Sequence, residues 1–255
     1  MPAELNYELG GPENAPAIAF TGSLGTDLTM WQTQSDRLGD RFRTLRYDIR
    51  GHGASSVPEG PYSIADLGSD LVALLDRLEI ERVALCGLSI GGMTSMWVAA
   101  HHPERVERLV LCCTSALLGP PESWHQRAAT VRASGVEAIA DAVLERWFTP
   151  AFASAHPEVI EGMRATLIAT PRDGYASCCE AIAAMDLTGE IGAITAPTLV
   201  LSGADDPSTP PVHGQRIAEL IPGARFEIVK PAAHLATVER PDLTTAMLLR
   251  FLSDE

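Results

Sequence analysis

The chain lacks the spaced cysteines of a disulfide scaffold. Its five cysteines, Cys86, Cys112, Cys113, Cys178 and Cys179, are odd in number, and four fall in adjacent pairs. That spacing suits neither a disulfide framework nor a Cys-x-x-Cys metal site, so buried apolar thiols are expected. Long apolar runs are also missing; none approaches the ~20 residues that cross a bilayer. Residues 1–11 carry two glutamates and no basic stretch followed by an apolar one, so no signal peptide is expected and the protein reads as cytoplasmic. Basic residues are scarce, 19 against 33 acidic ones, for a formal charge of -14. Such a surface repels nucleic acid and anionic membranes, and it opposes an anionic substrate unless a local cation receives it. There is no internal repeat and no low-complexity tract.

What is present centres on Val83-Ala84-Leu85-Cys86-Gly87-Leu88-Ser89-Ile90-Gly91-Gly92. An apolar run reads as a buried strand, meets Gly-x-Ser-x-Gly, and continues through Met93 to Ala100 as an apolar, helix-tolerant segment. Strand, tight turn and helix in that order form the context of a nucleophile elbow. The bare pattern arises by chance in roughly one chain of this length in ten, so the flanking elements carry the argument. A turn that sharp presses backbone on backbone, which places Gly87 and Gly91 where a Cβ would collide. Ser89, at the apex, is the expected nucleophile.

Around this stretch the chain alternates strands and helices. Strands are expected at 5–9 (an edge), 17–21, 42–48, 83–88, 108–113, 197–203 and 225–229. Helices are expected at 63–78, where Ser63 and Asp66 stand as a capping box, and at 212–221 and 243–252. Unbroken apolar strands are buried on both faces, which implies an α/β protein with a mostly parallel central sheet flanked by helices. The rhythm stops between about Gly119 and Gly189, a helix-rich stretch opening on Pro120-Pro121. At 255 residues the chain reads as one domain, with a core of 1–118 and 190–255 and a helical insertion at 119–189.

A serine hydroxyl needs a base, and the base needs an orienting acid. Behind an elbow these follow in the order Ser, Asp or Glu, His. Of seven histidines, only His234 comes just after the last expected strand, at the carboxyl edge of the sheet where sites in open α/β sheets form. The acid should close the preceding strand, at Ala204-Asp205-Asp206-Pro207. Asp206 is favoured and Asp205 remains the alternative, because adjacent side chains cannot both face the histidine. Two oxyanion donors are expected: the backbone N–H of Ile90, after the nucleophile, and that of Leu24 in the loop Gly22-Ser23-Leu24-Gly25. That loop lacks Gly-x-Gly-x-x-Gly spacing and a Gly-Lys-Ser/Thr ending, which argues against nucleotide binding.

These residues resemble the α/β-hydrolase superfamily over essentially the whole chain and, within it, the 3-oxoadipate enol-lactonase family. The likeness rests on Ser23-Leu24-Gly25-Thr26-Asp27-Leu28-Thr29-Met30-Trp31, Tyr47-Asp48-Ile49-Arg50-Gly51-His52-Gly53 and the elbow. It rests also on Arg146-Trp147-Phe148-Thr149-Pro150, Asp206-Pro207-Ser208-Thr209-Pro210-Pro211 and Ala233-His234-Leu235. The Ser-Leu-Gly-Thr-Asp-Leu and Trp-Phe-Thr-Pro segments are the more specific. Gly22 departs from the pattern, standing where a polar residue is common. The chain stops at Glu255, so the decarboxylase domain fused to some of these enzymes is not expected.

The resemblance implies an α/β-hydrolase fold with a helical cap inserted after the sixth strand. It also implies hydrolysis of a small carboxylated enol-lactone in aromatic catabolism through Ser89, His234 and Asp206, with no metal and no cofactor. The implied partner is a small-molecule substrate. Its carboxylate calls for a cation in the cap, where Arg127, Arg132, Arg146, Arg164 and Arg172 are available. Sequence does not rank them, and Arg127 stands for the group. Trp147 is the expected pocket wall, with Ser23 beside it. A general carboxylesterase or carbon–carbon bond hydrolase would use the same triad. A non-catalytic binding protein on this fold is disfavoured, because Ser89, Asp206 and His234 are all present.

Overall fold

Seven strands form one sheet: β1 (Tyr7–Gly10), β2 (Ala17–Thr21), β3 (Arg43–Tyr47), β4 (Val83–Leu88), β5 (Val106–Cys112), β6 (Thr198–Gly203) and β7 (Arg225–Val229). The computed structural model describes residues 2–253. The spatial order is β1-β3-β2-β4-β5-β6-β7. Only β1 runs antiparallel to its neighbour, β3; the other pairs are parallel. β2, β4 and β6 are buried along their whole length, as unbroken apolar strands covered on both faces must be.

Around the sheet lie α1 (Gln32–Leu38), α2 (Ile64–Arg77) and α3 (Ile90–His101), then a run of five: α4 (Pro121–Ser134), α5 (Ala140–Trp147), α6 (Pro150–Ala155), α7 (Pro157–Ala169) and α8 (Arg172–Ala184). The β/α rhythm resumes with α9 (Pro211–Leu220), α10 (Ala236–Glu239) and α11 (Pro241–Leu252). The start of α2 is fixed by local chemistry. The Ser63 hydroxyl accepts from Asp66 N–H at 3.1 Å, and Asp66 Oδ2 accepts from Ser63 N–H at 2.8 Å.

The helical run leaves the sheet after β5, and not after a sixth strand as expected. Among the described residues, the chain ahead of β1 does not pair as a strand. Glu4 N–H binds Ser56 Oγ, Asn6 N–H binds Ser55 Oγ, and Asp48 N–H binds Asn6 O, so the loop after β3 takes those backbone groups. β5 also begins two residues earlier than expected, at Val106. The insertion is pinned at its base by an antiparallel bridge between Leu117 and Asp186, supported by Leu187 N–H on Ala116 O at 2.8 Å.

From β2 the chain steps outward to β3, then crosses back to β4 on the other side of β2. The gap at the carboxyl ends of β2 and β4 is therefore the switch point, where open α/β sheets bind ligands. Parallel pairing of Thr21 with Gly87 sets the loop after β2 beside the turn after β4. All five cysteines are buried and unpaired. No described helix is long and apolar enough to cross a membrane.

Candidate active site

The turn after β4 holds Ser89 at φ 57°, ψ -119°. A non-glycine residue in that region is strained and persists only where its surroundings hold it. Here Ser89 N–H donates to Cys112 O at 3.0 Å, and the Thr114 hydroxyl donates to Ser89 O at 2.7 Å. A Cβ on Gly87 would lie 2.2 Å from Gly91 O, and one on Gly91 would lie 2.3 Å from Thr21 O. The glycines thus let α3 start directly against the end of β2. Ile90 is the first residue of α3, so its N–H has no acceptor within the helix.

The loop after β2 is held from behind. Gly25 has φ 82° and donates its N–H to His52 Nε2 at 2.9 Å, while His52 Nδ1 faces Arg50 O at 3.3 Å. This assigns the tautomer with the proton on Nδ1. Complete burial disfavours the imidazolium and, against the pull of the Arg50 carbonyl, lowers the His52 pKa to about 4. A neutral ring keeps Nε2 free to accept. Leu24 N–H donates to no acceptor among the described residues, so the two donors chosen from sequence, Leu24 and Ile90, are both unclaimed by protein groups.

His234 lies in the loop after β7 and is 4% exposed. Its Nδ1 meets Asp206 Oδ2 at 2.8 Å. Asp205, the sequence alternative, is exposed and does not touch the ring. Asp206 is further held by Ser208 N–H (2.8 Å), Thr209 N–H (3.1 Å) and the Thr209 hydroxyl (2.7 Å). Burial would raise the Asp206 carboxyl, but the His234 charge and hydrogen bond, with those from Thr209, outweigh it and keep the group below its usual range. Neither Ser89 Oγ nor His234 Nε2 is hydrogen-bonded to another described group. Catalytic contacts of this kind are often loose before substrate arrives.

Ser89 and His234 open into one cavity of about 70 Å³, lined also by Ser23 and Leu24 from the β2 loop and by Trp124, Arg127, Arg146 and Trp147 from the insertion. Drug-sized sites span ~300–1,000 Å³, so this one suits a small ligand. The five candidate arginines separate cleanly. Arg132 forms a two-pronged pair with Glu180 (2.5 and 2.8 Å), Arg164 pairs with Asp141, and Arg172 does not line the cavity. Arg127 and Arg146 do. The Arg127 guanidinium also sits 4.9 Å from the Trp124 ring centroid, a cation–π contact.

Sequence reasoning missed Ser208, Thr209, Trp124, Val143, Leu118 and Tyr175 in the lining. Helical spacing carried part of that signal. Trp124, Arg127 and Val131 recur at three and four residues, as do Val143, Arg146 and Trp147. Each arginine therefore occupies a position on an apolar helix face.

The sequence matches the family model described as alpha/beta hydrolase fold over residues 16–241, and the chain belongs to that family. It is similar to 3-oxoadipate enol-lactonase 2 of Acinetobacter baylyi, 43% identical over 237 residues, which are 93% of this chain and 88% of that one. Among solved structures it is similar to the enol-lactonase from Burkholderia xenovorans LB400, with TM-score 0.97 and 45% identity over 98% of this chain and 97% of that one. A thermophilic esterase from Thermogutta terrifontis, solved with malate bound, is 31% identical with TM-score 0.94, covering 99% of this chain and 94% of that one.

Proposed function

We propose that the protein is a cofactor-free serine hydrolase that opens a small carboxylated enol-lactone, 3-oxoadipate enol-lactone, to 3-oxoadipate. Ser89 Oγ attacks the lactone carbonyl as its proton passes to His234 Nε2. Asp206 holds Nδ1–H and stabilises the imidazolium without taking the proton. The N–H groups of Leu24 and Ile90 receive the oxyanion, assisted by the positive end of α3. Collapse breaks the ring C–O bond as His234 Nε2–H gives its proton to the leaving ring oxygen, releasing an enol that tautomerises to the ketone while the acyl group stays on Ser89. Water deprotonated by His234 then frees the acid. Every step uses protein groups and water.

The observation that carries the reading is the pair of arginines, Arg127 and Arg146, lining a 70 Å³ cavity with Ser89 and His234 in a chain of net charge -14. Cations gathered there against the overall field suit an anionic substrate, and the volume suits a short one. The similarity to named enol-lactonases supports the same substrate. A second reading, a carboxylesterase for small acidic esters, is favoured by the esterase relative with malate bound.

The test is hydrolysis of 3-oxoadipate enol-lactone, generated in situ, beside a p-nitrophenyl ester. Loss of lactone with poor ester turnover is expected. Ester turnover without lactone activity would keep the serine hydrolase and remove the substrate.

A further inference from the structure

Both backbone neighbours of His234 are tied, and both ties lead to the helical insertion. Leu235 N–H donates to Trp147 O at 2.9 Å. Ala233 N–H donates to Glu239 Oε2 at 3.0 Å. The same carboxylate reaches across to the turn between α5 and α6. Glu239 Oε2 accepts Thr149 N–H at 3.2 Å, and Oε1 accepts the Thr149 hydroxyl. Thr149 in turn caps α6 by accepting Phe152 N–H at 3.3 Å. Trp147, two residues earlier, walls the cavity.

Glu239 is 5% exposed, and among the described residues no cation pairs with it. Burying a carboxylate without a counter-charge is costly unless its lone pairs are filled. Here three donors fill them, two from Thr149 and one from the residue before His234. A neutral side chain of similar volume would pack in that place without the desolvation cost. What it would not do is bind the sheet-side loop and the insertion to one rigid group.

We propose that Glu239 is a positioning residue that locks the His234 loop to the Trp147–Thr149 turn, so that the imidazole is aligned when the insertion is seated over the cavity. This rests on His234 being the general base. Small misplacements of a base are expensive, and a shift of about 1 Å can cost about 10²-fold in rate.

The experiment compares Glu239→Ala, Glu239→Gln and Thr149→Val with wild type on p-nitrophenyl acetate, reading kcat, KM and Tm, with His234→Ala as the control. Glu239→Ala should lower kcat about 10²-fold while KM stays within about twofold, the pattern of an interaction needed in the transition state. Glu239→Gln should recover most of that loss, because an amide oxygen still accepts Ala233 N–H. Thr149→Val should lower kcat less, and combining it with Glu239→Ala should add little, because both changes cut one network. A fall in Tm with unchanged kcat per folded molecule would overturn the proposal, as would a change in KM alone. If Glu239→Ala does not fold, Thr149→Val decides: a lower kcat supports the lock, and a wild-type kcat removes it. Full turnover by His234→Ala would instead remove the reading of the base, and this inference with it.

Discussion

The cavity has two walls built on different principles. On the sheet side, position is set by backbone. Ser89 stands at φ 57° because Gly87 and Gly91 let α3 press within contact of Thr21 O, and Leu24 and Ile90 would act through N–H groups that no side-chain change removes. On the insertion side, position is set by side chains. Trp124, Arg127, Arg146 and Trp147 project from α4 and α5 into the same space. Trp147 is buried in the core, while the two arginines are not buried and can be exchanged with little cost to packing. The contrast separates what one fold can do from what one member does: rigid backbone suits the shared chemistry, and exchangeable side chains suit the choice of substrate.

Four changes should break or sharpen that contrast. The largest effect is expected at the elbow, where Ser89→Ala should lower kcat by about 10⁶ on any ester, lactone or not. Retention of substantial turnover would move the nucleophile elsewhere. Next, Asp206→Asn should cost about 10⁴-fold in kcat by presenting the wrong tautomer of His234. Asp205→Asn, one residue away but exposed, should stay close to wild type in the same assay.

A third change concerns the support behind the β2 loop. His52 is fully buried with its pKa lowered to about 4, against 6.5 for the free group. Below pH 6.5 the unfolded chain binds a proton that the folded one refuses, so stability falls as pH drops from 6.5 to about 4. The shift corresponds to about 3 kcal/mol at most. Urea unfolding of wild type across that window should show the loss. His52→Gln, which can still accept Gly25 N–H, should show a visibly flatter curve. Asp206 adds its own loss lower down, because a depressed carboxyl stabilises above its unfolded value near 3.8 and ceases to as pH falls below it.

The smallest effect is expected at Arg132, on the insertion but away from the cavity. Arg132→Gln removes an exposed pair with Glu180 that does not line the cavity, so stability should change by no more than ~1 kcal/mol and the kinetics should hold. A large rise in lactone KM for this variant would mean that the anion is received outside the cavity.

Most of the sheet was legible because its signal is local. The runs Ala17–Thr21 and Arg225–Val229 have the bounds that apolar patterning and flanking turns suggest, and α2 begins where Ser63 and Asp66 announce a cap. The patterning places five strands ahead of the insertion, as the fold does, and only the resemblance implied a sixth. The edge strand was set two residues early, at 5–9 against Tyr7–Gly10, because Glu4 and Asn6 give their backbone groups to the distant loop at 48–56. Within the candidate site, Ser89, His234 and the pair Asp205-Asp206 could be picked by order along the chain, and the fold brings Asp206, not Asp205, to the ring. The place of Thr209 beside His234 and of Glu239 beside Thr149 could not be picked that way, since those partners lie 25 and 90 residues away and only the fold brings them close. Choosing among five arginines failed for a related reason. Their charges look alike in sequence, and only packing reveals that Arg132 and Arg164 are matched by Glu180 and Asp141 while Arg127 and Arg146 face the cavity.

The most direct test of the division between the walls is the double variant Arg127→Gln/Arg146→Gln, assayed on 3-oxoadipate enol-lactone and on neutral p-nitrophenyl acetate. Losing charge-assisted contacts to a carboxylate should cost about 10–100-fold in kcat/KM for the lactone. Ester turnover, which needs only the sheet side, should stay near wild type. Equal losses on both substrates, or no loss on the lactone, would contradict the account.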